Sequence, residues 1–420
     1  MAKIKTIKSR EILNAIGIPT IETLVVLDSG ACGVASLPST KSRGTFESVP
    51  LLDQDPERFE GKGVLKAIAN VEQKIAPVMI GMDISLQNKI DQVLVDLDGT
   101  EDRRNLGANA LLSVSLACLK AAANAYHLPV YKYLWLKYQL VSKNTPLPTM
   151  VFTLISGGEH GKGNLDFQEF LIVPSSRFSP TRSLEIATRL YRKLAQVLMA
   201  RHISYSVADD GGLTANLFTN IDGLELLRET VAGSAFNLNT DLFLAVDFGA
   251  SHFYKNASYA IKDRPQAYTS SEFQVYLEEL DKQYHLLFWE DPLSSDDWEG
   301  WKKLTGNLGS KKLILGDDLL GSNNVRITQA LGEKAGNGMV IKINQNSTVT
   351  ESIQAVKKCK ASGWQVVVSG RSSETNDEFI ADFALGIGAN YTKFGAPFGG
   401  EHIAKYNRLS AIASEMGVNV

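Results

Sequence analysis

The period of the apolar positions divides the chain into two parts. From Thr20 to Pro38, TIETLVVLDSGACGVASLP alternates apolar and polar residues on either side of Asp28-Ser29-Gly30. Alternation with period two marks half-buried strands, and a glycine-bearing turn between two such runs marks a hairpin. The next stretch, PSTKSRGTFESV, is short of large apolar residues and reads as a mobile loop, not a core element. From Gly63 the period lengthens to that of a helix, in GVLKAIANVEQKIAPVMI, LQNKIDQVLVDLDG and GANALLSVSLACLKAAANAYH. A short sheet followed by a helical set predicts an α+β domain over residues 1–130, with KYQLVSKNTPLP leading onward.

Over residues 143–420 the rhythm changes. Short apolar runs end in a charged residue, and a helical stretch follows most of them: LFLAVDFGAS, HLLFWEDP, KLILGDDL, GMVIKINQ, WQVVVSGRSS and NYTKFGAP. Their terminal groups are Asp247, Glu290, Asp317, Lys342, Arg371 and Lys393, at intervals of 43, 27, 25, 29 and 22 residues. Most of these intervals are the length of one strand and one helix. Continuous apolar strands alternating with helices imply a parallel sheet covered on both faces. Repeated this often, the simplest closure is a β/α barrel with its catalytic groups at the C-terminal strand ends. A doubly wound open sheet is the alternative, but the glycine-rich dinucleotide loop that would support it is missing.

Composition narrows the partners. The 420 residues are 44% apolar and 21% charged, as in globular proteins, with a formal net charge of −3. That balance leaves no electrostatic footprint for nucleic acid or an anionic membrane, so an acidic ligand must be held by local charges. Three cysteines, Cys32, Cys118 and Cys359, show no metal or redox spacing. The opening MAKIKTIKSREIL lacks the apolar core of a signal peptide. No apolar run reaches the ~18 residues of a membrane span. These features together predict a cytoplasmic protein.

Three carboxylates, Asp247, Glu290 and Asp317, end successive strands of the proposed barrel. Singly each reads as a helix cap or a surface charge. Converging, they would repel one another and require a cation, and hard oxygen ligands suit Mg²⁺. Asp291 and Asp318, each next to one of them, read as capping or supporting groups. Lys342 and Lys393 also end apolar runs. Singly each could be a structural lysine with its stem buried. Beside three acids and a metal, burial and a neighbouring cation would lower a lysine pKa and free it as a base. Arg371 and Ser372, at a strand-to-helix junction, predict a phosphate seat of guanidinium, hydroxyl and helix N-terminal amides. The glycine-dense ISGGEHGKGNLDFQEFLIVP and VADDGGLTANL add His160, Gln168, Glu169 and Asp210, whose carboxylates could assist a leaving hydroxyl.

Over essentially its whole length, in order, the chain resembles enolase, the glycolytic phosphopyruvate hydratase. The likeness rests on GKGVLKAIANV, LDGTEDRRNLGANALLSVSLA, DFQEFLIVP, EDPLSSDDWEGW, GDDL, KINQNSTVTES and FIAD with IAKYNRL. The resemblance implies an N-terminal capping domain, a barrel that starts with two extra strands, and a homodimer or larger assembly. It implies one structural Mg²⁺ with a second arriving with substrate, and interconversion of 2-phosphoglycerate and phosphoenolpyruvate. Residue by residue, Lys342 matches the base, and Asp247, Glu290 and Asp317 match the ligands of the first metal. Lys393 matches the carboxylate contact, and Arg371 and Ser372 the phosphate contacts. Gln168 and Glu169 match polar wall groups, and His160 the histidine of a mobile loop. Ser42 matches the loop serine that helps to hold the second metal.

The departures fall on the acid side of the site. The family's P-S-G-A-S-T-G is here Pro38 to Gly44, PSTKSRG, with two added cations, Lys41 and Arg43. Its G-D-E-G-G carries Asp210 in place of the glutamate, about an ångström shorter in reach, and misplacement of that size can cost ~10²-fold. Its S-H-R-S-G-E-T carries Gly370 in place of the histidine, and its D-S-R-G-N-P-T has become Asn14 to Thr20, NAIGIPT. Three readings follow: an enolase, a paralogue forming the same enolate from another phosphorylated or phosphono acid, or a non-catalytic enolase-like binding protein.

Overall fold

The computed structural model describes residues 2–39, 44–141, 145–161 and 165–418. Strands β1 (Ile4–Leu13), β2 (Pro19–Leu27) and β3 (Cys32–Ser36) form an antiparallel meander. The predicted hairpin joins β2 to β3, and Gly30 takes φ +87° there, a left-handed conformation open to glycine. The helix Ala108–Ala125 lies directly on this sheet. A Cβ at Gly33 of β3 would collide with the carbonyl of Ala117 and the amide of Ala121. By length and composition this 18-residue helix could cross a membrane, but 78% of it is buried here against the sheet and neighbouring helices. It is a core helix.

The helical pattern continues past Pro129. The helix Val130–Tyr138 docks on the helix Phe379–Gly386, with Trp135 Nε1 donating to the Leu385 carbonyl at 3.0 Å.

The predicted barrel is present. It opens with two strands in succession, β4 (Thr149–Ser156) and β5 (Glu169–Pro174), paired antiparallel with no helix between them. A short hairpin, β6 (Tyr205–Val207) and β7 (Leu213–Ala215), hangs from β4. Next come β8 (Leu242–Asp247) and a two-stranded excursion, β9 (Tyr254–Lys255) and β10 (Ser258–Tyr259). The last five strands are β11 (Phe288–Glu290), β12 (Leu313–Gly316), β13 (Gly338–Ile341), β14 (Gln365–Ser369) and β15 (Tyr391–Lys393). β15 pairs back onto β4, so that β4, β5, β8 and β11 to β15 close a ring in which β5 alone runs antiparallel to its neighbours.

Inside the ring, Val151, Leu171, Val173, Ala245, Phe288, Leu315, Val340 and Val367 form an apolar plug separate from the outer core. Side chains alternate along a strand, so the residue two positions toward the C-terminal end faces the same interior one layer higher. Asp247 follows Ala245 in this way, Glu290 follows Phe288, and Asp317 follows Leu315. Lys342 follows Val340, and Lys393 follows Tyr391. Glu169 belongs to the same layer from the opposite direction, because β5 is reversed and pairs Glu169 with Asp247. The plug thus sets the level at which the polar layer begins.

One expectation is overturned. β14 ends at Ser369, and the next helix starts only at Phe379, so Arg371 and Ser372 sit in a turn and not at a helix N-terminus. Side chains hold this turn open: Arg371 N donates to Glu374 Oε1 at 2.9 Å, and Phe379 N donates to Asp377 Oδ1 at 2.9 Å.

Candidate active site

At the C-terminal mouth of the barrel lies a cavity of about 440 Å³, walled by residues that include His160, Glu169, Asp210, Lys342, Arg371 and Lys393. Gln168 and Ser372 also line it. Ser42 lies outside the described residues, as do Lys41 and Arg43.

Two lysines organise the floor. Lys393 Nζ donates to Glu290 Oε1 at 2.8 Å, to Asp247 Oδ2 at 3.1 Å, and to Glu169 Oε2. Lys342 Nζ donates to Asp317 Oδ2. All six side chains are nearly or wholly withdrawn from solvent. Four carboxyl groups thus share two ammonium groups, so this buried layer holds more acids than bases. Among the described residues Glu290 Oε2 is buried with no hydrogen-bond partner. A buried carboxyl oxygen without a partner is costly, and a cation bound there would relieve it. The donor set, all hard oxygens, suits Mg²⁺. Asp247 and Glu290 meet at Lys393 while Asp317 is held by Lys342, so the three predicted ligands stand in one layer with these two lysines as their counter-ions.

The protein groups around the two lysines favour their charged forms. Burial alone would lower Lys342, but Asp317 beside it outweighs burial and raises its pKa. Lys393 is likewise pushed down by burial and pulled well above the usual lysine range by Asp247, Glu169 and Glu290. The neutral lysine was expected beside a bound cation; the protein neighbours by themselves are anions, and they favour the charged form of both lysines. For Glu290, burial and then Asp247 hold the carboxyl well above its ordinary value. For Asp317 burial works in the same direction but Lys342 wins, and its carboxyl falls below its ordinary value.

A second cluster stands on the wall. His160 Nδ1 is 3.2 Å from Asp210 Oδ2 and 4.0 Å from Glu169 Oε1. Asp210 also accepts from Ser156 Oγ, at 2.7 Å to Oδ1 and 2.8 Å to Oδ2, and from Gly212 N at 2.9 Å. A Cβ at Gly212 would collide with Ser156 Oγ, so a larger residue there would displace that hydroxyl from Asp210. Burial would raise the Asp210 carboxyl, but His160, Ser156 and the Gly212 amide together bring it down to about 2. This network favours the carboxylate form of Asp210. The imidazole of His160 is raised in turn: burial opposes its charge, and Asp210 overrides burial. Glu169, whose Oε1 accepts from Thr153 Oγ1 at 2.8 Å, is raised, chiefly by burial. His160, Glu169 and Asp210 could themselves hold a cation, as could Asp291, Asp317 and Asp318. Asp291 has a structural task as well, accepting from the amides of Asp317 at 3.0 Å and Asp318 at 2.7 Å.

On the opposite wall Arg371 meets a residue that the sequence reading passed over. Its Nη1 and Nη2 donate to Glu47 Oε1 at 3.0 Å and Oε2 at 2.9 Å. Glu47 lies in the stretch read as a loop, and no local pattern distinguishes it there. Ser156 and Gln345 were missed for the same reason, since each matters only through a partner distant in sequence. Gly370, between Ser369 and Arg371, is not demanded by the backbone. A Cβ there would meet Glu374 Oε1 at 3.4 Å and Ile380 Cδ1 at 3.6 Å, which are ordinary contacts.

The family comparison agrees with this architecture. Residues 4–134 match the enolase N-terminal domain, and residues 144–420 match the enolase C-terminal TIM barrel domain.

Proposed function

Because this chain belongs to the enolase family, we propose that it dehydrates 2-phosphoglycerate to phosphoenolpyruvate and water with Mg²⁺ as cofactor. The observation that carries this reading is the buried layer of four carboxylates and two lysines, with one carboxylate oxygen of Glu290 unpartnered. A lysine base beside Mg²⁺ is already the described pattern of enolase-superfamily sites as a class. Asp247, Glu290 and Asp317 would hold the ion. Bound there, Mg²⁺ offsets the negative charge that grows on the substrate carboxylate, and it relieves Asp317's hold on Lys342.

The chain's own groups then divide the work. Lys342 Nζ takes the proton from C2, and Lys393 orients the carboxylate. Arg371 and Ser372 take the phosphate. When the C3–O bond breaks, the departing hydroxide needs a proton. Glu169 is the better donor, because burial raises its carboxyl while Asp210 stays ionised. Asp210 then acts through His160, keeping that imidazole charged. In this reading Ser42 helps to hold a second Mg²⁺ with substrate. A homodimer and a cytoplasmic setting belong to the same reading. The second is supported by three cysteines, all unpaired.

The test is phosphoenolpyruvate absorbance on adding 2-phosphoglycerate and Mg²⁺ to the purified protein. Metal-dependent turnover supports the reading. Absence both of turnover and of exchange of the substrate α-proton with solvent deuterium overturns it, in favour of a binding protein. Asp210 and Gly370 favour a second reading, in which the enolate half is kept for another phosphorylated or phosphono acid. Exchange without dehydration is its signature.

A further inference from the structure

The turn 370–378, which brings Arg371 and Ser372 to the cavity wall, is held from outside itself. Three successive carbonyls in it accept from other segments: Asn14 Nδ2 donates to that of Ser373 at 3.3 Å, Ala15 N to that of Glu374 at 2.9 Å, and Lys405 Nζ to that of Thr375 at 2.8 Å. A helix would need these carbonyls for its own amides. The N-terminal domain takes further hold through Ser36. Its carbonyl accepts from Thr375 Oγ1 at 3.1 Å, and its amide donates to Asp377 Oδ2 at 2.9 Å. Asn14 is 6% exposed, and its side-chain amide uses its full hydrogen-bonding capacity. Oδ1 accepts from Ile16 N at 3.1 Å and Ile18 N at 2.8 Å, while Nδ2 donates to Ser39 Oγ at 2.7 Å as well as to Ser373. Backbone N–H groups on one side and a carbonyl on the other allow the amide only this orientation. The family motif has an aspartate at this position. A carboxylate could accept from the loop but has no hydrogen to give to the Ser373 carbonyl.

We propose that Asn14 and Thr375 are positioning residues for the anion seat, through which the N-terminal domain sets the placement of Arg371 and Ser372. The inference rests on the reading of those two residues as the phosphate contacts. The ties act through the backbone. Ser373, held by Asn14, follows Ser372 directly, and Glu374, held by Ala15, accepts from Arg371 N through Oε1 at 2.9 Å. A seat held in its binding shape needs no reordering when an anion arrives. Without these ties only a fraction of the molecules present the seat, and the apparent dissociation constant rises by the reciprocal of that fraction. Asp247 and Glu290 end β8 and β11, and Asp317 follows β12, so the proposed metal ligands lie outside this turn. Cation binding should therefore not change with it.

The test measures dissociation constants of inorganic phosphate at constant Mg²⁺, and of Mg²⁺ alone, by titration calorimetry. The wild type is compared with Asn14→Ala, Thr375→Val and Arg371→Ala, and thermal melting establishes that each variant is folded. Asn14→Ala should weaken phosphate by about fivefold, the worth of one buried hydrogen bond, and leave Mg²⁺ unchanged. Thr375→Val, which adds no charge and removes the hydroxyl that reaches Ser36, should weaken phosphate in the same direction. A merely structural role would lower the melting temperature and leave phosphate affinity in place. Phosphate affinity in Asn14→Ala within about twofold of the wild type, or an equal loss for Mg²⁺, overturns the proposal. If Asn14→Ala fails to fold, Thr375→Val decides by the same criteria. Arg371→Ala tests the underlying reading separately. Unchanged phosphate affinity there overturns Arg371 as the phosphate contact, and the positioning with it. A loss in Arg371→Ala without one in Asn14→Ala overturns the positioning alone.

Discussion

At the scale of the residue, the site is governed by which charges share which partners. Lys342 has one carboxylate beside it and Lys393 has three, and in the proposed reaction this difference assigns Lys342 as the proton acceptor and Lys393 as a fixed cation. Replacing Lys342 by alanine should lower α-proton exchange by about 10²–10⁴-fold, the usual share of a general base, with the circular dichroism spectrum unchanged. Exchange at the wild-type rate would remove Lys342 as the base. On the acid side Asp210 is ionised and Gly370 presents no side chain. The double variant Asp210→Glu with Gly370→His should therefore speed dehydration relative to exchange if the enolase reading holds. A Cβ at residue 370 meets only ordinary contacts, so the backbone there admits a side chain. No gain in phosphoenolpyruvate formation would favour a pocket shaped for another acid.

At the scale of the element, close backbone approach does what side chains cannot. The sheet β1 to β3 and the helix Ala108–Ala125 touch at Gly33, where there is no space for a methyl group. Gly33→Ala must push helix and strand apart or distort β3. The expected cost is about 1–3 kcal/mol, read as a lower urea midpoint with an unchanged slope. A midpoint equal to the wild type would show that the contact yields freely. The turn after β14 makes the complementary point. It stays out of the helix because Glu374 and Asp377 satisfy amides that a helix would otherwise claim. Arg371 is thereby free to face Glu47.

At the scale of the molecule, the barrel gathers four acidic groups around two lysines in one buried layer. If this layer holds Mg²⁺ as proposed, the ion should stabilise the whole fold by mass action. The gain is about 2.7 kcal/mol at a hundredfold excess over Kd. The melting temperature should rise on adding Mg²⁺ and return on adding EDTA, and Glu290→Gln should shrink the rise. A melting temperature indifferent to Mg²⁺ would mean that Lys393 and Lys342 suffice as counter-ions.

The sequence by itself determined the periodicities, and hence the sheet-then-helix start, the recurring strand-helix units and the strand-end positions of Asp247, Glu290, Asp317, Lys342 and Lys393. Those are local properties: a side chain's face follows from its count along a strand, and a barrel places equivalent positions at one mouth. Only the tertiary structure decided protonation and pairing, because these depend on neighbours from other strands. Lys342 was expected to be lowered beside a bound cation; its protein partner Asp317, found only in the fold, pulls the other way. Asp210, read as a group that could assist a leaving hydroxyl, is drawn toward its carboxylate form by His160, Ser156 and the Gly212 amide, which converge on it only in the fold. Glu47 could not be read at all: it lies 324 residues from Arg371 in the chain, and only folding brings the two together.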